Sequence, residues 1–212
     1  MKKAASIQLY NKYYRDNDNE NIGQFVILAE KFNVKNALYP GSFVHIAPSL
    51  VFPKVTYIDT DKRTKTFFSD SQVSDYINNH KRYVEDSSFI LLPEDYRKED
   101  LNLSERFDVL ISQYAGFISK YCTRFLKVNG LLLVNNSHGD AGMASIDKRY
   151  KLIGVLNRKS QIYSYSDKNL DSYFIPKKEV PITEEYLESI GKGIGYTKSP
   201  TSYLFRKMSD SK

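Results

Sequence analysis

The sequence predicts an α/β domain with a doubly wound, mostly parallel sheet, helices on both faces and an antiparallel terminal hairpin. Two observations lead to this prediction. Five short strands alternate with helix-like stretches up to about residue 150, and most of these strands are apolar along their whole length. Such strands indicate a parallel sheet that is covered on both faces. After residue 150, strand-like segments follow one another mostly without helices, which indicates antiparallel closing strands.

The leading part of the chain predicts two helices, over residues 4–16 and 20–33. In the second, apolar residues recur at steps of three and four, at Ile22, Phe25, Val26, Ala29 and Phe32. Asn19 or Asn21 is the expected N-cap. These residues form a predicted N-terminal extension, 1–33, that could serve as a lid, in front of an α/β domain over 34–212.

The remaining elements follow from the change of rhythm between β-rich and helix-like segments. The five alternating strands are predicted at Asn36–Tyr39, Lys54–Asp59, Ser88–Leu92, Phe107–Ser112 and Gly130–Asn135. Helices are predicted near residues 61–68, 70–83, 97–104 and 113–127. The closing part predicts strands at Lys151–Leu156, Ser160–Ser166, Ser172–Ile175 and Thr201–Arg206, with a helix at Thr183–Ile190.

Composition excludes several classes of protein. With 212 residues, 41% hydrophobic and 26% charged, the chain is neither wholly disordered nor a collagen nor a coiled coil. One cysteine excludes an internal disulfide framework, and three dispersed histidines give no reason to expect a metal site. The longest apolar runs, Phe89–Leu92 and Leu131–Val134, are far shorter than the roughly 20 residues of a membrane helix. We therefore expect a cytoplasmic protein with no membrane partner.

The net charge of +6 is concentrated near the end of the sequence. Residues 145–212 carry 13 Lys and Arg against 8 Asp and Glu. A basic segment of this kind could face an anionic partner such as nucleic acid. A lysine-rich solvated surface explains the same charge.

In a parallel sheet, the loops after successive strands share one rim, where α/β proteins bind ligands. The residues at this predicted rim are Pro40, Gly41, Ser42 and Phe43; Asp59, Thr60 and Asp61; Asp95 and Tyr96; Ser112, Gln113 and Tyr114; and Asn136, Ser137, His138 and Asp140.

Three of these residues have chemistry that suits a nucleoside ligand. Gly41 would let a ligand approach the backbone, and Asp59, 18 residues later, could accept hydrogen bonds from both hydroxyls of a ribose. Asp95 could accept from the exocyclic amine of a purine. Each also has a structural interpretation, because Gly41 could serve a turn and both acids could cap helices.

Histidines supply the candidates for acid–base chemistry. His138 could act as a general base oriented by Asp140. Alternatively, the chain turns at Asn136 and Ser137, and Asp140 caps a helix. His45, beside the first loop, could bond either a ligand or the backbone.

This order of elements resembles that of the class I S-adenosylmethionine-dependent methyltransferases, whose sheet is Rossmann-like. The resemblance rests on the glycine loop at Gly41, the acids Asp59 and Asp95, the Phe-Asp-Val-Leu run from Phe107, and the turn Leu126–Gly130 before the fifth strand. The closing strands Ser160–Ser166 and Thr201–Arg206 are similar to the family's terminal hairpin. The first loop departs from the family in having a single glycine, and Pro48 and Pro53 shorten the helix after it.

The resemblance implies S-adenosylmethionine as cofactor and assigns a role to each rim segment. Gly41 and Ser42, flanked by Pro40 and Phe43, would lie beside the methionine part. Asp59 with Thr60 would hold the ribose, Asp95 with Tyr96 would touch adenine, and Ser112, Gln113 and Tyr114 would border the transferable methyl group.

The function expected from these observations is an S-adenosylmethionine-binding methyltransferase whose acceptor, a small molecule or a nucleic acid, stays open. The alternative is a methyltransferase fold that has lost catalysis and acts as a binding or scaffold module. A nicotinamide dinucleotide enzyme is disfavoured, because the lone Gly41 stands in place of a G-x-G-x-x-G loop.

Overall fold

The computed structural model describes residues 5–211, and the chain divides into two compact units, with Lys98 ending the first and Glu99 beginning the second. Residue 4 of the predicted first helix lies outside the described residues. The first unit contains α1 (Ala5–Tyr10), a π-helical turn (Asn11–Arg15), α2 (Ile22–Phe32), β1 (Asn36–Pro40), a 3₁₀ turn (Ala47–Leu50), β2 (Lys54–Ile58), α3 (Lys62–Phe68), α4 (Ser71–His80) and β3 (Ser88–Leu92).

The second unit begins with a parallel strand pair and ends with antiparallel strands. It contains β4 (Phe107–Ser112), α5 (Ile118–Cys122), a 3₁₀ turn (Thr123–Phe125), β5 (Leu126–Val134), α6 (Asp140–Ile146), β6 (Tyr150–Lys159), β7 (Ile162–Ser166), a 3₁₀ turn (Leu170–Ser172), α7 (Glu184–Ile190) and β8 (Ser202–Lys207).

Strand pairing confirms the predicted fold class. In the first unit, β1 pairs with β2 and β2 with β3, both in parallel. In the second unit, β4 and β5 are parallel, whereas β8 runs antiparallel to both β5 and β6, and β6 forms an edge hairpin with β7. The chain is therefore an α/β protein with a Rossmann-like parallel part and an antiparallel end.

Local sequence signals explain where several helices begin. Asp61 and Asp70 are the N-caps of α3 and α4, and the carboxylate of each accepts the backbone N–H two residues later. Thr183 caps α7 in the same manner, through the N–H of Tyr186. Asn21, one of the two expected caps of α2, occupies that position with φ +52° but makes no capping bond with its side chain.

Each unit has its own apolar core. In the first unit the tyrosine ring of Tyr10 is fully buried among side chains of the first loop and of α3 and α4, namely Val44, Ile46, Leu50, Phe67, Val73 and Ile77. In the second unit, Met143 of α6 packs with Leu187 of α7 and with Ile194 and Tyr196 from the chain before β8. Cys122, at the end of α5, is also fully buried, and its thiol forms no disulfide.

The predicted helix over 113–127 is wrong for most of its length. Only Ile118–Cys122 is α-helical, and β5 already begins at Leu126. Tyr114 and Gly116 have φ values of +63° and +76°, which no α-helix accommodates. The segment Leu126–Gly130, predicted as a turn, belongs to β5.

Two shorter elements were also predicted wrongly. The strand expected at Ser172–Ile175 is absent, because Leu170–Ser172 forms a 3₁₀ turn and Phe174 has φ +62°. Residues 97–104 form no helix; the Asp95 side chain instead accepts the N–H of Arg97 in a local turn. The predicted helix 70–83 ends earlier, at His80, and the N–H of Arg82 bonds the carbonyl of Leu50.

Two kinds of feature are absent from the described residues. Between residues 5 and 211, no helix is long and apolar enough to cross a membrane. Over the same range, no group of three or more His, Cys, Asp and Glu side chains comes together as metal ligands.

Candidate functional site

The first loop of the first unit follows β1 and is held in a strained turn. Gly41 has φ +64° and its N–H bonds the carbonyl of Ile58, at the end of β2. Phe43 has φ +48°, a left-handed conformation that costs a bulky residue about 1–3 kcal/mol. Such a cost persists only where surrounding contacts fix the backbone.

Asp59, directly after β2, supplies one of those contacts. One carboxylate oxygen accepts the backbone N–H of Phe43 at 2.7 Å, and the other accepts the N–H of Asp61 at 2.8 Å. The Asp59 side chain thus joins the first loop to the second. A carboxylate has about four acceptor positions, so two remain for a ligand, and the residue is only half-buried.

Aromatic and cationic groups cover the Phe43 ring. The guanidinium of Arg63 lies 4.4 Å from the ring centroid, and the Tyr13 ring meets it edge-on at 5.1 Å. Arg63 is held in turn by the carboxylate of Asp61 and donates to the Tyr13 hydroxyl. The hydroxyl of Tyr14 donates to the carbonyl of Ser42 at 3.3 Å. The helical N-terminal segment therefore touches the first loop at two places.

His45 is a buried neutral side chain. Burial lowers its pKa to about 4, and Tyr14 stacks on the ring with centroids 4.3 Å apart. The Glu20 carbonyl can only accept, so Nε2 carries the proton and donates to it at 3.0 Å, and Nδ1 accepts from the Tyr39 hydroxyl at 3.1 Å. Both ring nitrogens thus bond groups of the protein. Of the two possibilities left open by the sequence, a bond to a ligand or to the backbone, His45 makes the bond to the backbone.

The third loop holds Asp95 in an ion pair with its neighbour. The carboxylate accepts from the backbone N–H and the guanidinium of Arg97, which lowers the pKa of Asp95. Tyr96 is half-buried and Thr60 is exposed. The ion pair occupies Asp95 oxygens that the sequence assigned to a purine amine.

In the second unit, Asp140 braces the end of β4. It is fully buried at the start of α6, where it accepts from the Ser112 hydroxyl, at 2.5 Å, and from the hydroxyl and backbone N–H of Ser119. Burial raises the pKa of Asp140 to about 6, although these hydrogen bonds oppose the shift. The carboxyl group therefore ties β4, α5 and α6 together.

His138 and Asp140 do not form the pair that the sequence suggested. The His138 ring is exposed and its Nδ1 lies 3.0 Å from the Ser137 hydroxyl. The Asp140 carboxylate points instead at Ser112 and Ser119.

Two buried acceptors lack partners at the carboxyl ends of β4 and β5. Gln113 is 3% exposed, and its Oε1 has no hydrogen-bond partner within residues 5–211. Asn136 donates to the Ile194 carbonyl at 2.8 Å, but its Oδ1 likewise has none among the described residues. Because Ser112 is opposite Val134 in a parallel pair, Gln113 and Asn136 lie at the same edge. Such orphaned acceptors each cost about 1–3 kcal/mol, which indicates a place for a donor.

Beside these acceptors, Tyr114 is 67% exposed with φ +63°. Ser112 and Gln113 are thus buried whereas Tyr114 is exposed, although the three were predicted as one segment. The sequence placed Asn136 at the predicted rim but gave it no role beyond a turn. Its position just after an apolar strand was the signal that could have marked it as a site residue.

Comparisons with known proteins bear on the fold. No protein-family model matches the sequence, and no curated protein matches it. Solved structures do match: a candidate O-methyltransferase from Klebsiella pneumoniae has a TM-score of 0.51 at 9% identity, over 78% of this chain and 89% of that one. An O-methyltransferase from Bacillus cereus, solved with SAH, has a TM-score of 0.50 at 9% identity, over 78% and 90%.

A third match is the cofactor-bound protein Rv0187 from MTB, with a TM-score of 0.51 at 8% identity, over 90% of this chain and 81% of that one. At these identities the likeness is one of fold. The chain shares the fold of these methyltransferase structures, as the order of its strands predicted.

Proposed function

We propose that this protein is a methyltransferase that binds S-adenosylmethionine, with Asp59 as the residue that holds the ribose. The observation that carries the proposal is the placement of Asp59. It follows β2 at its carboxyl end, is half-buried, and keeps two acceptor positions beyond those used by Phe43 and Asp61. These acceptor positions fit a ribose diol, which offers two hydroxyl donors to one carboxylate.

When bound, the cofactor supplies an electrophilic methyl group. The chain's own residues would position it and keep water away, and these two effects provide most of the rate enhancement in such transfers. Asp59 would orient the ribose, and the Tyr13 and Tyr14 rings would shield the first loop. The proposal therefore includes a lid role for the N-terminal segment.

The roles of Asp95, Tyr96, Ser112, Gln113 and Tyr114 remain predictions. Asp95 would have to keep its bond to Arg97 while accepting from adenine. Gln113 carries an orphaned acceptor and is for that reason the best supported residue of its segment.

Calorimetric titration with S-adenosylmethionine and S-adenosylhomocysteine tests the proposal. We expect both to bind the unmodified protein, and Asp59→Asn to weaken binding by about 10- to 100-fold through loss of charged hydrogen bonds. Asp61→Asn is the matched control, since Asn also caps helices well. Absence of binding to the unmodified protein at millimolar concentration would refute the proposal.

One observation favours a second candidate, a methyltransferase fold without catalysis. Both Asp59 oxygens accept N–H groups of the protein's own loops, and the Phe43 ring is covered by Arg63 and Tyr13. A scaffold module would bind the demethylated cofactor, or neither form, and would transfer no methyl group to any acceptor of a broad panel. Turnover of any acceptor would exclude it.

For the acceptor, we keep both a small molecule and a nucleic acid as proposals. Binding of duplex and single-stranded oligonucleotides that falls steeply with salt would support nucleic acid. Binding that is absent or independent of salt would leave the small molecule.

A further inference from the structure

A cavity of about 310 Å³ lies in the second unit, on the chain between β7 and β8. Lys177, Lys178 and Lys192 line it, together with Tyr186, Ile190 and the glycines of the loop after α7. No acidic residue lines it.

The three lysines form no ion pair within residues 5–211. All three are exposed, and none of their ammonium groups makes a salt bridge or a hydrogen bond to any described residue. By contrast, Lys120 on α5 pairs with both Glu184 and Glu188. Like charges gathered around one cavity repel one another, and an anion placed among them would relieve that repulsion.

The faces of α7 separate the acidic residues from the cavity. Glu184 and Glu188 are four residues apart, lie on one face and bind Lys120. Tyr186 and Ile190, also four residues apart, lie on another face and line the cavity. The cavity thus combines cationic groups with a half-buried aromatic ring.

The walls of the cavity are fixed by the backbone. Lys177 donates its N–H to the Gly195 carbonyl, and Thr197 donates to that of Ile175, so the two chain segments pair around the Pro176–Tyr196 bridge. On the other side, Gly193 packs against the chain after β5, where a Cβ would lie 1.8 Å from the Asn136 carbonyl oxygen. The backbone segments that carry the lysines are therefore held in place.

We propose that this cavity binds a phosphate-bearing ligand with a flat aromatic part, the chemistry of a nucleotide, either free or within a single strand of nucleic acid. Lys177, Lys178 and Lys192 contact the phosphates, and Tyr186 stacks on the base. The lysines and the tyrosine ring have different roles. Cations alone bind any anion, whereas stacking of a base on an aromatic ring selects nucleotides. The proposal is independent of methyl transfer.

Fluorescence anisotropy tests the site with two probes, fluorescently labelled ATP and a labelled single strand of about 12 nucleotides. This strand length lies within the range of site sizes seen for single-strand binders. The variant combines Lys177→Gln, Lys178→Gln and Lys192→Gln. Its matched control removes the same charge elsewhere in the unit, through the exposed residues Lys151, Lys159 and Lys168, each changed to Gln.

We expect the cavity variant to bind both probes about tenfold or more weakly. For the strand, the slope of the logarithm of the binding constant against the logarithm of the salt concentration should decrease in magnitude by about 2. The control should stay within about twofold of the unmodified protein. Equal affinity for ATP and the strand identifies a free nucleotide as ligand, and much tighter binding of the strand identifies nucleic acid.

Tyr186→Leu tests the aromatic half of the proposal, with inorganic pyrophosphate as a probe that has no base. We expect weaker binding of ATP and of the strand, with pyrophosphate unchanged. Three results would overturn the proposal: no binding of either probe near 1 mM, equal losses in the cavity and control variants, or full nucleotide affinity in Tyr186→Leu. Far-ultraviolet circular dichroism verifies that each variant is folded.

Discussion

The backbone N–H of Phe43 donates to the carboxylate of Asp59 at 2.7 Å, and so an acid at the end of β2 fixes the strained loop after β1. The residue that we propose as ribose ligand therefore also has a structural task. Binding experiments on Asp59 variants have to be read with this double role in mind.

The structural task predicts a loss of stability that is separate from cofactor binding. Asp59→Ala leaves the N–H groups of Phe43 and Asp61 without their acceptor, so we expect the free energy of unfolding to fall by about 1–3 kcal/mol. Asp59→Asn keeps one acceptor oxygen and should lose less. Urea denaturation without cofactor measures both. Equal stability of Asp59→Ala and the unmodified protein would contradict the assigned role.

Asp140 predicts a stability that falls as pH rises. Its folded pKa of about 6 lies above the ordinary value of 3.8, so the folded protein binds the proton more tightly than the unfolded chain does. Protonated Asp140 makes its full contribution to the free energy of unfolding below about pH 4. This contribution of about 3 kcal/mol is lost as the pH rises to about 6.

Asp140→Asn should remove this pH dependence, because an amide does not titrate. We expect the stability of Asp140→Asn relative to the unmodified protein to increase between pH 4 and pH 6, as followed by urea denaturation. Asp167→Asn, an exposed change of the same kind, is the control. A constant difference across this range would show that Asp140 ionises normally.

His45 predicts the opposite trend. Its folded pKa of about 4 lies below the ordinary 6.5, so the unfolded chain binds the proton more readily. Stability from neutral His45 is complete above about pH 6.5 and is lost as pH falls to about 4, by about 3 kcal/mol. We expect the stability of His45→Gln, relative to the unmodified protein, to decrease as pH rises from about 4 to about 6.5, with His80→Gln at the exposed end of α4 as control. If both variants differ from the unmodified protein by a constant amount across this range, the titrating group is another residue.

Gly193 and Gly195 provide a matched pair on one loop. A Cβ at position 193 would lie 1.8 Å from the Asn136 carbonyl oxygen, whereas one at 195 would meet only the Lys177 side chain, at 3.9 Å. We expect Gly193→Ala to destabilise by about 3 kcal/mol, at the upper end for overpacking, and Gly195→Ala by less than about 0.5. Thermal unfolding of both variants compares them directly, and similar midpoints would contradict the close packing of this loop.

The sequence predicted the order of strands because apolar runs and turn residues are local signals. It failed at 113–127 because distant residues decide that segment. Asp140 accepts the Ser119 N–H near the start of α5, and the fully buried ammonium of Lys207 donates to the carbonyls of Thr123 and Leu126. These partners lie 21 to 84 residues away in the chain, beyond any pattern of local periodicity.

For the candidate site too, the sequence predicted what depends on local signals and missed what depends on contacts between loops. Asp59 was identifiable, since an acid after a buried strand is a local signal. Its bond to Phe43 depends on how two loops meet, and the capture of Asp95 by Arg97 depends on one turn rather than the expected helix. Lys177 and Lys178 of the cavity are adjacent in sequence, but Lys192 joins them only through the pairing around Pro176 and Tyr196.

Cys122 is the only thiol of the chain, and it is fully buried at the end of α5. A thiol reagent can therefore modify the unaltered protein only when the second unit opens, so the labelling rate measures that opening without any engineering. For the same reason, a cysteine introduced at an exposed position can be labelled selectively with a fluorophore or spin label, because Cys122 does not react while the protein is folded.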